Sequence, residues 1–240
     1  MDWRDDGILL STRPLGEANA IAELLTEQHG RHLGLVRGGR SRRLRPLLQP
    51  SNLLHITWRA RLPEHLGSVT VELMQAYAAG VLDDPAALLC IESLTSMARM
   101  LPERDPHPAL YHSARAVLEA LGDSKLWPAR LVRWELEFLA DMGFGIDLSE
   151  CAATGTTEDL VYVSPKSGRA VSKQAGEPYA DKLFRLPAFL LDEEAAAEPG
   201  DIVDGFRLSG HFLDRDIYAP HGEALPAARE RLMQRLKTSP

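Results

Sequence analysis

Residues 53–62 alternate between apolar and polar side chains, and this pattern constrains the fold more than any other feature of the chain. The even-numbered positions are apolar: Leu54, Ile56, Trp58, Ala60 and Leu62. The odd-numbered positions are largely polar and basic: Leu53, His55, Thr57, Arg59 and Arg61. Because successive side chains of a strand point to opposite faces, the pattern predicts a β-strand with one face in a core. We expect Trp58 to lie in that core rather than to stack on a base.

Four further runs in the first 75 or so residues have the character of short strands. They cover residues 8–13, ending at Pro14, then 20–26, 32–37 and 67–74, the last with Val69, Val71 and Leu73 on one side. Five short strands in so little sequence favour a small closed barrel of the OB kind, because closure removes the exposed sheet edges. An SH3-like barrel would give much the same pattern.

After residue 76 the hydrophobic period changes from two to about 3.6 residues, which is typical of helices. Helices are predicted from an Asp84 N-cap to about residue 101, around residues 110–121, from about 128 to 143, and from about 224 to 236. The first three are expected to form a bundle, with Trp134 in its core. In the last helix, Arg229, Arg231, Arg235 and Lys237 are expected to lie mostly off the apolar face.

The sequence therefore predicts an α+β protein with two domains. Residues 1–76 form a five-stranded OB-like β-barrel, and residues 77–240 form an α-helical domain. Residues 147–187 are rich in Gly, Ser, Thr and Lys, which predicts a small turn-rich insertion within the helical domain.

Charge is distributed very unevenly along the chain. The net charge is −7, yet residues 28–63 contain no Asp or Glu, so the rest of the chain carries −15. This asymmetry indicates an anionic partner, with nucleic acid as the candidate. Eight arginines of the acid-free segment are the predicted DNA contacts: Arg31, Arg37, Arg40, Arg42, Arg43, Arg45, Arg59 and Arg61.

The basic segment 37–45 is predicted to form one groove with the polar face of the following strand. Guanidinium groups bind phosphates and stack on unpaired bases, and Gly38 and Gly39 allow the backbone to approach a bound strand closely. The alternative is an interaction adaptor, in which the helical domain carries the function and the basic loop is only a solvated linker. A barrel that serves RNA also stays open, since nothing here reads a 2′-hydroxyl.

Other functional classes lack their signatures. There is no phosphate-binding Walker loop, nucleophile elbow or zinc-protease motif, so no catalytic residue is assigned. No run is long enough to span a membrane and the acidic start is unlike a signal peptide, so a cytoplasmic, nucleoid-associated protein without a membrane partner is expected. His29 and His32 make a poor metal pair, and no metal or cofactor is expected.

The chain resembles the RecO family of recombination mediators. The resemblance rests on residues 7–17, 26–31, 35–41, 48–50, 133–139, 143–145, Leu148, Cys151 and Gly155. It implies an N-terminal OB fold and a C-terminal helical domain. It also implies binding of single-stranded and duplex DNA, annealing of complementary strands, and loading of RecA together with RecR and the single-strand binding protein.

Two expectations follow from the resemblance. Some family members hold zinc with two Cys-x-x-Cys pairs, but here only Cys151 is present, with Thr154 in the second position and no cysteine at residues 171–174. The insertion is thus expected to be a degenerate, zinc-free counterpart, with the turn at residues 164–168 held by hydrogen bonds. Arg130 and Arg133 are expected to bind the acidic tail of the single-strand binding protein.

Overall fold

The computed structural model describes residues 1–62, 64–192 and 194–238. By the packing of the chain it divides into two compact units, Met1–Ser124 and Lys125–Pro240. The predicted first helices therefore belong to the same compact unit as the strands, while the boundary expected at residue 76 remains a prediction. In the described residues no helix combines the length and the apolar character needed to cross a bilayer.

Five strands form the centre of the first unit: β1 (Asp2–Leu15), β2 (Asn19–Thr26), β3 (Gly30–Val36), β4 (Leu53–Arg59) and β5 (Ser68–Gln75). They pair in the order β1-β2-β3-β5-β4, and β1 also pairs with β4, so the sheet closes into a barrel. The β3–β5 contact is parallel and the other pairings are antiparallel.

Strand β1 is longer than predicted because it has two partners in succession. Its first half pairs with β4 as far as Ile8, and its second half pairs with β2 as far as Leu15, with a bulge between Leu9 and Ser11. The strand was expected to stop at Pro14, but Pro14 lies inside it, opposite Ala20. At that point β1 has a partner on one side only, the position in which a sheet tolerates proline.

The alternation in β4 is confirmed by burial. Leu54 and Ile56 are fully buried and Trp58 is 1% exposed, all in the core of the barrel. Val69 and Val71 of β5 join them, but Leu73, which was expected on the same side of the strand, is 44% exposed. Leu73 pairs with Leu54 next to a break in the β4–β5 register, and such an irregularity re-aims the side chains around it.

Two helices complete the first unit, α1 (Pro85–Ala98) and α2 (Pro108–Glu119). The predicted N-cap is confirmed, since Asp84 Oδ1 accepts hydrogen bonds from the main-chain N–H groups of Ala86 and Ala87. The three helices predicted to form one bundle do not belong to one compact unit, since the third begins after Ser124. Helix α1 packs on β1 and α2 packs on β2, because their apolar faces cover the outside of the barrel.

The second unit begins with α3 (Trp127–Asp141), which packs on a helix that the sequence did not predict, α5 (Pro199–Phe212). Trp134 of α3 is fully buried, as expected. The turn-rich segment holds a three-stranded sheet in the order β7-β6-β8, and it also holds the short helix α4. These elements are β6 (Leu160–Val163), β7 (Ala170–Ser172), α4 (Lys173–Gly176) and β8 (Phe184–Arg185), and α6 (Ala227–Thr238) ends the described chain.

A buried ion pair joins three helices of the second unit. Arg229 of α6 is 2% exposed and donates two hydrogen bonds of 2.8 Å to Glu135 of α3, which is fully buried. Ser209 of α5 donates to the same carboxylate at 2.5 Å. The expectation that Arg229 lies off the apolar face was wrong, because its partner comes from a distant part of the sequence.

Candidate nucleic-acid interface

The loop between β3 and β4, residues 37–52, is folded onto the barrel. Leu48 is 5% exposed, and Leu44 and Leu47 pack against the barrel core beside it. Apolar side chains within the basic segment therefore anchor the loop, while its arginines remain outside. Such anchoring does not fit a flexible linker.

Hydrogen bonds fix the course of the loop at its start. Asn19 Oδ1 accepts from the main-chain N–H of Gly38 at 3.0 Å. The main-chain N–H of Arg40 donates to Ala18 at 3.1 Å, and its guanidinium donates to the carbonyl of Gly16 at 3.0 Å. The β1–β2 turn therefore holds the basic loop in a defined conformation, which lowers the entropic cost of binding a ligand.

The end of the loop is held separately. Asn52 Nδ2 donates to the carbonyls of Pro46 and Leu47 at 3.2 and 2.9 Å, and Ser51 and Asn52 exchange main-chain hydrogen bonds with Leu9 of β1. Ser51 has a φ of +74°, in the left-handed region that residues other than glycine seldom adopt. This strained turn returns the chain from the loop into β4.

The structure brings five of the eight predicted arginines together on this loop. All five side chains are exposed: Arg37, Arg40, Arg42, Arg43 and Arg45. Two of the five, Arg40 and Arg45, line a groove of about 390 Å³ together with Arg13, over a floor that includes Pro14, Leu48 and Pro50. Among the residues that the structure describes, no Asp or Glu lines this groove. The sequence analysis missed Arg13 because it precedes the acid-free segment. Only the pairing of β1 within the folded barrel places it beside the loop.

The Arg31 side chain, in contrast, already has partners within the protein. Its side chain is 16% exposed and contacts Glu23 of β2 at 2.6 Å, and its Nε donates to the carbonyl of Leu101 at 2.5 Å. Glu23 also accepts from Ser11 and Arg99. Burial tends to raise the pKa of this carboxyl, but the hydrogen bonds outweigh it and hold the pKa below its ordinary value. These contacts hold Arg31 against the barrel, and its predicted contact with DNA stays a prediction.

The polar face of β4 is not the basic surface that was expected. His55 Nδ1 lies 2.7 Å from Asp6 Oδ1, and Arg59 Nε lies 3.8 Å from Asp2 Oδ2, because β1 places its acidic start directly opposite. Arg59 stands six residues beyond Leu53, about 20 Å along the strand. The groove beside Arg40 and Arg45 does not include Arg59 or Arg61. This groove therefore does not extend to the strand face, and the predicted DNA contacts of Arg59 and Arg61 stay predictions.

His29 and His32 lie in an aromatic cluster at the other end of the barrel. The His29 ring stacks on Trp3 with 4.0 Å between centroids, and its Nδ1 lies 2.8 Å from Asp5 Oδ2. His32 is buried edge-on between Trp3 and Trp58. Across residues 1–62, 64–192 and 194–238, no group of three or more His, Cys, Asp or Glu residues could hold a metal ion.

Cys151 does not fit a zinc site. Its sulfur is buried and accepts a hydrogen bond of 3.2 Å from the main-chain N–H of Ser172, which stands in the stretch where the second cysteine pair would fall. A closed tetrahedral zinc site needs four ligands and finds one thiol here. The neighbouring turn is held by hydrogen bonds, as expected: Gly168 N–H donates to Ser164 at 2.9 Å, and Ser164 N–H donates to Arg169 at 3.0 Å.

We therefore expect the purified protein to contain no stoichiometric zinc and to keep its melting temperature in the presence of a chelator. Elemental analysis and thermal unfolding, each with and without chelator, measure this. One zinc per chain would contradict the prediction and would mean that other side chains had replaced the missing thiolates.

In the second unit, Arg133 contacts the main chain of the segment after β8. Its guanidinium donates to the carbonyl of Phe189 at 2.7 and 3.1 Å and lies 5.6 Å from the centre of that ring. It also donates to Asp192 at 3.2 Å. Arg130 lies one turn earlier on α3 and is likewise half-buried. A peptide carboxylate would have to share the Arg133 guanidinium with these carbonyls, so its predicted role in peptide binding stays a prediction.

Two family profiles match the chain in order. The profile for the recombination protein O N terminal matches residues 1–77, and the profile for the recombination protein O C terminal matches residues 82–223. Together they cover the barrel, its basic loop and the helical part as far as residue 223, so that α6 lies outside both matches.

Curated relatives agree with these matches. The chain is 51% identical to the DNA repair protein RecO of Methylocella silvestris over 231 residues, which cover 95% of this chain and 93% of that protein. It is 52% identical to the RecO of Rhodopseudomonas palustris over 233 residues, with the same coverage of both chains. It is 49% identical to the RecO of Methylorubrum extorquens over 242 residues, 97% of each chain.

Proposed function

Because the chain belongs to the RecO family of DNA repair proteins, we propose that it binds single-stranded DNA through the loop of residues 37–45 without catalysing a reaction. The observation that carries the proposal is the ordered loop itself, which holds five exposed arginines. Two of them, Arg40 and Arg45, line a groove in which no carboxylate of the described residues takes part. Phosphate oxygens are the natural partners of such guanidinium groups. Duplex DNA would meet the same charges, but only unpaired bases could use the apolar floor.

We propose further that the barrel is of the OB kind. Two observations support this assignment: five strands close in the order β1-β2-β3-β5-β4, and the bulged first strand pairs with both β2 and β4. OB folds bind nucleic acids through a strand face and adjoining loops. In this chain the loop between β3 and β4 would supply most of the charge.

Binding to a labelled single-stranded oligonucleotide is expected to depend strongly on salt. If about 4 to 6 phosphates are neutralised, the logarithm of the association constant should fall by roughly 3 to 4 per decade of salt concentration. Fluorescence anisotropy over a salt series measures the slope, and a competing RNA of the same sequence separates DNA from RNA preference. A slope flatter than about −1 would contradict the proposal and favour an adaptor that works without nucleic acid.

The partners proposed for this chain are those implied by its family: RecR, the tail of the single-strand binding protein, and the RecA recombinase that the complex would load at the nucleoid. Annealing of complementary strands belongs to the same proposal. Arg130 and Arg133 remain the proposed contacts of the acidic tail, since both lie on one face of α3 beside buried apolar residues. Binding of the tail peptide by an Arg130→Ala variant tests this assignment without removing the Arg133 contacts to the main chain.

A further inference from the structure

Two grooves flank the far end of β1, and they share the residues Thr12 and Arg13. The first is the groove beside the basic loop, and the second, of about 360 Å³, extends toward the C-terminal end of α1. Ser11, Thr12, Arg13, Ile21, Glu23, Leu33 and Arg99 line the second groove. A surface lined by arginines therefore continues from the loop, across Arg13, to Arg99.

The second groove carries one carboxylate, and that carboxylate is fully engaged. Glu23 Oε1 lies 2.6 Å from Arg31, and Glu23 Oε2 lies 2.7 Å from Arg99 and 2.8 Å from the Ser11 hydroxyl. Arg31 also approaches Glu103 at 3.8 Å. The exposed guanidinium of Arg13 and the half-exposed guanidinium of Arg99 thus surround a carboxylate that is already neutralised.

We propose that a single strand of DNA follows both grooves, with its phosphates on Arg45, Arg40, Arg13 and Arg99, and does not run along β4 to Arg59 and Arg61. The path rests on the proposed function and adds Arg13 and Arg99 to it. The apolar side chains along both grooves, such as Pro50 in the first and Leu33 in the second, offer surface to unpaired bases. In duplex DNA the base faces are stacked and cannot use that surface, so the path selects single strands.

Anisotropy with a labelled oligothymidylate and the full chain tests the path. Arg13→Ala and Arg99→Ala should each weaken binding about tenfold, as expected when one charge-assisted hydrogen bond is lost. Each should also flatten the salt slope by about 0.7. Arg4→Ala is the matched control, because Arg4 is an exposed arginine on the other half of β1, and it should leave both quantities unchanged.

Arg99 also binds Glu23, so a structural effect must be separated from a direct one. Glu23→Gln removes the negative charge from the groove and should tighten oligothymidylate binding about threefold. The same substitution should lower the melting temperature, because it removes the carboxylate that lies 2.6 Å from Arg31 and leaves only Glu103, at 3.8 Å. If Glu23 and Arg99 acted only on the fold, both substitutions would weaken binding together, and the path would be wrong.

The other arginine substitutions distinguish a failure of the proposed path from a failure of the proposed function. Losses with Arg40→Ala and Arg45→Ala but not with Arg13→Ala or Arg99→Ala would overturn the path and leave the loop as the binding site. A loss with Arg59→Ala and none with Arg99→Ala would place the strand along β4 instead. If none of these substitutions changed binding, the proposed function of the barrel would fail as well.

Discussion

Replacing Arg229 by Ala is expected to destabilise the second unit by about 3–5 kcal/mol, the usual consequence of breaking a buried ion pair from one side. Glu135 would then be a fully buried carboxylate that keeps only the Ser209 hydroxyl among its present hydrogen-bond donors. The carbonyl of Phe206 would also lose its 2.8 Å bond from Arg229. Urea unfolding of the full chain, followed by circular dichroism, measures the loss.

The matched control is Arg235→Ala, because Arg235 is an exposed arginine on the same helix. It should change the free energy of unfolding by less than about 0.5 kcal/mol. Replacing both members of the buried pair with apolar residues, Glu135→Leu with Arg229→Met, should restore most of the stability that Arg229→Ala removes. Equal losses for Arg229→Ala and Arg235→Ala would show that the ion pair contributes nothing special.

Local pattern was enough to predict most of the secondary structure. The alternation in β4, the Asp84 cap and the apolar stripe of α2 depend on neighbours within a few residues, so the sequence displays them directly. Helix α5 was missed for a different reason. It contains Gly205 and Gly210, which look like turn residues in the sequence. A Cβ at Gly205 would lie 3.0 Å from Val132, and one at Gly210 would lie 2.6 Å from Arg229, so these glycines allow close packing.

The charged residues show what the sequence could not reveal. Counting charge in a window along the chain placed Arg31 and Arg59 in the DNA site, although each faces a carboxylate on a neighbouring strand. The same count left out Arg13, which reaches the basic groove only after the barrel closes. Arg229 finds its partner 94 residues away. Ion pairs between strands and between distant segments decide which arginines remain available to bind DNA. A charge count over consecutive residues does not contain this information.

His32 is the second group whose environment implies a large effect. The residue is 5% exposed, and its ring lies edge-on to Trp3 and Trp58 at 5.0 and 5.1 Å. Neither ring nitrogen has a hydrogen-bond partner among the described residues. Burial, followed by the nearby charge of Arg104, lowers the pKa of His32 to about 4. The folded barrel therefore binds a proton at this site far more weakly than the unfolded chain does, where the pKa is about 6.5.

We expect His32 to make the first unit lose stability as the pH falls from about 6.5 to about 4. Above that range the neutral ring is present in both states and contributes no pH dependence. As the pH falls, the unfolded chain takes up a proton on His32, while the folded state must either bury the charged imidazole or stay without the proton. The difference in pKa lowers the free energy of unfolding by about 3 kcal/mol in all. Acid also protonates Glu23, whose lowered pKa adds a loss of the same sign, so the test compares variants.

Urea unfolding at pH 7 and pH 4.5 measures the drop in the free energy of unfolding between the two pH values. This drop should be smaller for His32→Phe than for the original chain, whereas His65→Phe, at an exposed histidine, should leave it unchanged. An equal drop in all three proteins would mean that the buried imidazole does not control the acid sensitivity of the barrel.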